Sequence, residues 1–154
     1  DPGYAIVGVG VVDYNGNRFH TVNYDAILTD AKTEFNLRLQ IIYDRMCQII
    51  DTYKPEYMSI EKLYFNTNST TAIAVAEARG VILLAAKQRN VKIYEYTPLQ
   101  VKQAVTGYGK AEKKQVMELT KMLLGLKQMP KPDDTADALA LAICHAHSAS
   151  SPLF

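Results

Sequence analysis

Apolar positions change period several times along this chain, and each change marks an expected element. Ala5 to Tyr14 is rich in Val and Ile, predicting a strand. The turn Asn15-Gly16-Asn17 follows, then a second strand near Arg18 to Ile27, so the pair predicts an antiparallel hairpin. Between Thr33 and Tyr53 the apolar residues Phe35, Leu37, Leu39, Ile42, Met46, Ile49 and Ile50 fit a helical period that stops before Pro55. Tyr57 to Leu63 predicts a buried strand, and Ala72 to Lys87 an Ala-rich helix. That helix carries Ala72, Ala76 and Gly80 four residues apart, a face able to pack closely on the sheet or on a second subunit. A short strand at Val91 to Tyr94 precedes a helix opening at Pro98, the loop Thr106-Gly107-Tyr108-Gly109 and a helix over Ala111 to Leu124. Pro130 and Pro132 separate that helix from a last one, Asp133 to about His147. A hairpin followed by alternating helices and strands predicts a mixed α/β sheet with helices on its faces.

The length of 154 residues and 48% hydrophobic content suit one domain with a real core, over residues 1–148, with 149–154 as a tail. No run approaches the ~18 consecutive apolar residues of a membrane span, and no leader is read before the first strand, so the expectation is a soluble cytoplasmic protein. Cys47 and Cys144 both fall in apolar helical stretches, which predicts buried thiols in a reducing compartment rather than a disulfide.

Net charge is +1, but it is unevenly spread. Residues 87–131 hold ten Lys and Arg against three Glu, a local +7, whereas residues 1–86 and 132–154 each sum to −3. Lys102, Lys110, Lys113 and Lys114 lie in this basic flank, a candidate surface for nucleic-acid backbone; the plain alternative is a solvated lysine face.

Four carboxylates stand where phosphodiester chemistry would need them. Asp1 opens the turn Asp1-Pro2-Gly3, Glu61 ends the run Tyr57-Met58-Ser59-Ile60, and Asp134 and Asp137 lie three apart on one helical face. Carboxylates gathered from distant segments repel one another, so such a cluster points to divalent cations and a Mg²⁺-dependent nuclease. Each has a simpler reading: a loop turn, an exposed strand end, and acidic residues complementing a helix dipole. Asp133 is four residues from Asp137 and Asp134 is three, so periodicity alone leaves open which of the two faces a site. Tyr64 and Phe65, close after Glu61, could stack on exposed bases or pack beneath a loop. His145 and His147, two apart on a helix, point different ways and make a poor joint chelate.

Taken together these residues resemble the RuvC family of Holliday junction resolvases. The likeness runs through Asp1-Pro2-Gly3 with Gly8, Ser59-Ile60-Glu61-Lys62, Ala78-Arg79-Gly80-Val81, Val101-Lys102-Gln103, Gly107-Tyr108-Gly109, Ala111-Glu112-Lys113 and Asp134-Thr135-Ala136-Asp137-Ala138-Leu139-Ala140. The resemblance implies an RNase H-like fold with a mixed five-stranded sheet flanked by helices. It places the catalytic, metal-holding carboxylates at Asp1, Glu61, Asp134 and Asp137, choosing Asp134 over Asp133, with DNA-contacting Lys102 and Lys113 and the junction-centre aromatic at Tyr64. It further implies two Mg²⁺ per site, with Mn²⁺ able to substitute. The implied protein is a homodimer that nicks a four-way DNA junction symmetrically in recombination and repair, alongside a junction-binding protein and a branch-migration motor. In the family the first acidic residue ends the central strand, whereas this sequence opens on that residue, so residues upstream are expected to be missing from it. Competing readings are an RNase H-like nuclease acting on structured RNA or another structured nucleic acid, and a non-catalytic junction-binding module. An actin-like or sugar-kinase ATPase would need two such domains.

Overall fold

The computed structural model describes residues 3–64 and 70–149. Strands β1 (Ile6–Tyr14) and β2 (Phe19–Leu28) form the expected antiparallel hairpin. Gly16 takes a φ of +96° in the turn, while the Asn15 side chain accepts from the backbone N–H groups of Asn17 and Arg18, so the Asn-Gly pair both bends and pins the chain. Helix α1 (Phe35–Tyr53) ends at Lys54 in a left-handed conformation, before Pro55. Strand β3 (Tyr57–Glu61), helix α2 (Ala72–Gln88) and strand β4 (Lys92–Tyr96) follow, with β3 and β4 parallel, as a helical crossover allows. The chain closes with α3 (Pro98–Thr106), α4 (Lys113–Leu123) and α5 (Asp133–Ala149). Helix α3 starts on a capping box in which Thr97 and Gln100 satisfy each other's backbone N–H, and Pro98 adds no orphan donor.

The strands differ from expectation in their assembly. Among the described residues they form two two-stranded sheets, β1-β2 and β3-β4, rather than one sheet of five. Strands β1 and β3 border a cavity of about 940 Å³ whose lining includes Ile49 and Ile50 of α1 and Ala142 and His145 of α5.

Two larger core clusters sit on either side of the strands. One joins Val7, Ile27, Ile42, Ile60 and Ile82; the other joins α3, α4 and α5 around Val105, Val116, Leu139 and Ile143. Ile42, Leu139 and Ile143 are fully buried, and truncating such a side chain to Ala costs about 2–5 kcal/mol. Helix α2 packs through Ala78, Ile82, Ala85 and Ala86, not through the Ala72, Ala76, Gly80 face. A Cβ at Gly80 would meet nothing within 4 Å, so that face does not lie on the sheet.

Helix α5 passes very close to β1. A Cβ on Gly8 would fall 2.0 Å from the Asp134 carbonyl oxygen, and one on Gly10 2.6 Å from the Leu139 side chain. Only glycine admits this approach, and it sets the first turns of α5 directly against β1. No described helix is long and apolar enough to cross a membrane.

Candidate active site

Strand β3 and helix α5 deliver two of the expected carboxylates to one place. Glu61, the last residue of β3, and Asp137, in the second turn of α5, line a cleft of about 290 Å³ with Lys102 of α3 and Lys113 of α4. Pro98, Val101, Val116 and Met117 supply its apolar wall. Ser59 donates to the Leu141 carbonyl (2.9 Å), fixing β3 against α5, and side-chain alternation then sends Glu61 to the same face of the strand.

The electrostatics follow from burial. The Glu61 carboxyl titrates above the usual carboxylate range, chiefly because burial disfavours its charge, with nearby Asp137 adding to the effect. Asp137 is also raised, first by burial and further by Asp134, against the opposing pull of Lys113. The Lys113 ammonium lies 3.6 Å from the Asp137 carboxylate. Two strained carboxylates supply hard oxygen donors, the chemistry that suits Mg²⁺, which binds through one or two carboxylates and keeps its remaining positions for water and phosphate. Among the described residues no three His, Cys, Asp or Glu side chains converge as a metal cage, and Asp1 lies outside those residues.

The structure separates Asp133 from its neighbours. Its carboxylate pairs with Lys131 at 3.0 Å in solvent, and that hydrogen bond lowers its pKa. Asp134 instead backs onto Gly8 and acts on Asp137. Tyr64 is 60% exposed, with the Lys62 ammonium 5.9 Å from its ring centre; Phe65 lies outside the described residues. Lys110 and Lys114 do not line the cleft, although Lys114 follows directly on Lys113 in its α4 wall. His145 joins Tyr57, Tyr94 and Tyr96, whereas His147 packs on Tyr14 and Phe19 and bonds the Ala104 carbonyl, so the two histidines face separate surroundings. Both cysteines are free; burial pushes the Cys144 thiol up to about 11.

One residue behind this site, quoted above within a motif, received no role from the sequence. Arg79 of α2 donates through Nε to the Glu61 backbone carbonyl (3.3 Å). Its signal was a guanidinium set among small and apolar residues in Ala78-Arg79-Gly80-Val81.

An α/β frame that carries acidic side chains to the end of a parallel strand, beside lysines on adjoining helices, defines a nuclease of the RNase H-like kind. The sequence model of the family described as "Crossover junction endodeoxyribonuclease RuvC" matches residues 1–145, and the chain belongs to that family. A relative of that name from Alkaliphilus metalliredigens is 58% identical over 96% of this chain and 90% of its own length. One from Brevibacillus brevis is 59% identical over 95% and 88% respectively. Among solved structures, Thermus thermophilus RuvC has a TM-score of 0.90 at 34% identity, covering 97% of this chain and 92% of its own. The same organism's RuvC in complex with a Holliday junction substrate has a TM-score of 0.92 at 34% identity, over 97% and 91%.

Proposed function

We propose that this protein is an endonuclease that resolves Holliday junctions, cutting phosphodiester bonds at the cleft between β3 and α5. The observation that carries the reading is the meeting of Glu61 and Asp137 with Lys102 and Lys113 in one cleft. Opposite charges in one concave site serve a substrate that is itself an anion and must be brought against carboxylates. The lysines bind the sugar-phosphate backbone, and Lys113, already beside Asp137, offsets the repulsion between that carboxylate and an incoming phosphate.

Glu61, Asp137, Asp134 and Asp1 would hold Mg²⁺, with Mn²⁺ as a substitute. Bound there, the ions supply Lewis-acid stabilisation of charge developing at phosphorus and of the leaving oxygen. Lys102 and Lys113 in the cleft, with Lys110 and Lys114 close to Lys113 in sequence, would contact the phosphates of the DNA strand. Tyr64, exposed three residues beyond Glu61, stacks on bases at the junction centre.

Symmetric nicking needs two sites, so the working form is a homodimer. Supporting this, α2 presents Ile73 (70% exposed), Gly80 and Leu84 (49%) outward on one face. The domain over residues 1–148 acts in the cytoplasm, consistent with its two free thiols, beside a junction-binding protein and a branch-migration motor.

The test is cleavage of a synthetic four-way junction against the matching linear duplex. The junction is nicked in Mg²⁺ or Mn²⁺, the duplex is spared, and EDTA stops the reaction. Equal cutting of both substrates would remove the junction from the reading while leaving a nuclease.

A further inference from the structure

We infer that Arg79 is a positioning residue for Glu61, holding the carboxyl end of β3 from the face of the sheet opposite the cleft. The inference rests on the metal-dependent reading above. Helix α2 is built largely from small and apolar residues, and the Arg79 side chain is only 13% exposed there. A guanidinium so placed is costly unless paired. Its Nε donates to the Glu61 carbonyl at 3.3 Å, and a terminal nitrogen lies 3.1 Å from the Glu95 carboxylate, close enough for an ion pair. Glu95 of β4 is the cross-strand partner of Ile60, so one planar group grips both parallel strands just where they end.

Side-chain alternation makes the grip indirect. Ile60 packs with Ala78 and Ile82 on the α2 side, while Ser59 bonds α5 on the other, and Glu61 follows Ser59. Arg79 therefore reaches the Glu61 backbone carbonyl from the side of the sheet away from the carboxylate. Strand pairing continues only to Glu61 and Tyr96, with one further bond from the Lys62 N–H to the Tyr96 carbonyl (2.8 Å). The Glu61 carbonyl stands at the last rung of this pairing, and Arg79 adds a hold on it from behind.

The test uses the full chain as wild type, Arg79→Gln, Arg79→Lys and Glu95→Gln. Three quantities are read: Mn²⁺ affinity without DNA by electron paramagnetic resonance, junction affinity in EDTA, and single-turnover nicking against Mg²⁺ concentration. Loss of a group that orients a metal ligand typically weakens metal affinity by about 10- to 100-fold. Arg79→Gln should show a loss on that scale, with nicking partly restored by raised Mg²⁺ and junction affinity within about twofold of wild type. Arg79→Lys should recover only part of it, because a single ammonium cannot span two acceptors, and Glu95→Gln should be milder because the Nε hydrogen bond remains.

Wild-type Mn²⁺ affinity in Arg79→Gln would overturn the inference. So would equal losses in Arg79→Gln and Glu95→Gln that track their thermal midpoints, which would make the pair a strand clamp only. Should Arg79→Gln fail to fold, unchanged Mn²⁺ affinity in Arg79→Lys is the overturning result. Wild type that binds no Mn²⁺ sinks the metal reading itself, an outcome separate from these and one that takes the Arg79 inference with it.

Discussion

Helix α5 carries two aspartates four residues apart, each paired with a lysine from outside the helix, and the two pairs behave oppositely. Lys131–Asp133 is the shorter at 3.0 Å, with its side chains 75% and 63% exposed, and its carboxyl titrates below the usual range. Lys113–Asp137 is longer at 3.6 Å, yet its carboxyl, 31% exposed, titrates above that range despite the lysine. Distance alone would lower both carboxyls, the nearer pair more, and cannot raise Asp137. Solvent screens the first pair, leaving little more than a surface interaction, whereas burial beside Asp134 keeps the second carboxylate under strain that a cation can relieve. Two acidic residues one turn apart thus differ in electrostatics because one faces water and the other faces a cleft.

The contrast is tested most strongly by Asp137→Asn beside Asp133→Asn. The first should reduce junction nicking by about a hundredfold or more, the scale on which single charge-stabilising groups act, without weakening junction binding. Asp133→Asn should cut as wild type does. Comparable losses in both variants would erase the distinction between the pairs.

Tyr64 extends the contrast to a third cationic neighbour. Its exposed ring lies 5.9 Å from Lys62, an interaction worth little in solvent. Stacking worth about 1–3 kcal/mol per base predicts that Tyr64→Ala slows junction turnover by about tenfold, with Tyr64→Phe nearly silent. Fluorescence of 2-aminopurine at the crossover should rise with wild type and not with Tyr64→Ala; an unchanged rise would assign junction opening to other residues.

The lysines of the two pairs should also separate. Lys113→Ala and Lys102→Ala should each lower the slope of log affinity against log salt by about one unit, because each variant leaves one DNA phosphate without its cation. Lys131→Ala should leave the slope near its wild-type value. If Lys113→Ala lost thermal stability but kept its slope, the lysine would belong to packing with Asp137 and not to DNA.

The smallest effect is in the metal-free protein. Glu61 and Asp137 both titrate above their unfolded values, so they bind protons more readily folded than unfolded. The stability this contributes is present below the ordinary carboxylate pKa and is lost as pH rises through their raised values. The melting temperature in EDTA should therefore climb as pH falls from 7 toward the carboxylate range, and Glu61→Gln should flatten the climb. Mg²⁺ at tenfold above its Kd should restore about 1.4 kcal/mol at pH 7, a shift of about 3–6 °C for a chain of this size. A pH profile identical in wild type and Glu61→Gln would show that Glu61 carries no such strain.

Much of this was legible in the residues. Apolar periods together with proline and glycine signals marked the elements found among the described residues, with ends shifted by a residue or two where caps such as Thr97 with Gln100 and the left-handed Lys54 decided them. Local chemistry dictates such features: a turn needs its Asn-Gly, a helix its spacing and its stop. Charge counting found the basic flank, and family motifs named Glu61, Asp134 and Asp137. Other decisions belonged to the packed chain. Periodicity could not rank Asp133 against Asp134, because both lie within reach of one helical face; the close passage of α5 over Gly8 set Asp134 against β1 and left Asp133 in solvent with Lys131. Nor could spacing reveal that Arg79 reaches Glu61 across 18 positions, or that Lys113 meets Asp137, since neither pair shares an element. Hydrogen bonds and burial between distant segments depend on where the elements pack, and desolvation, which turned one aspartate of α5 upward in pKa and left Asp133 low, exists only once they have packed.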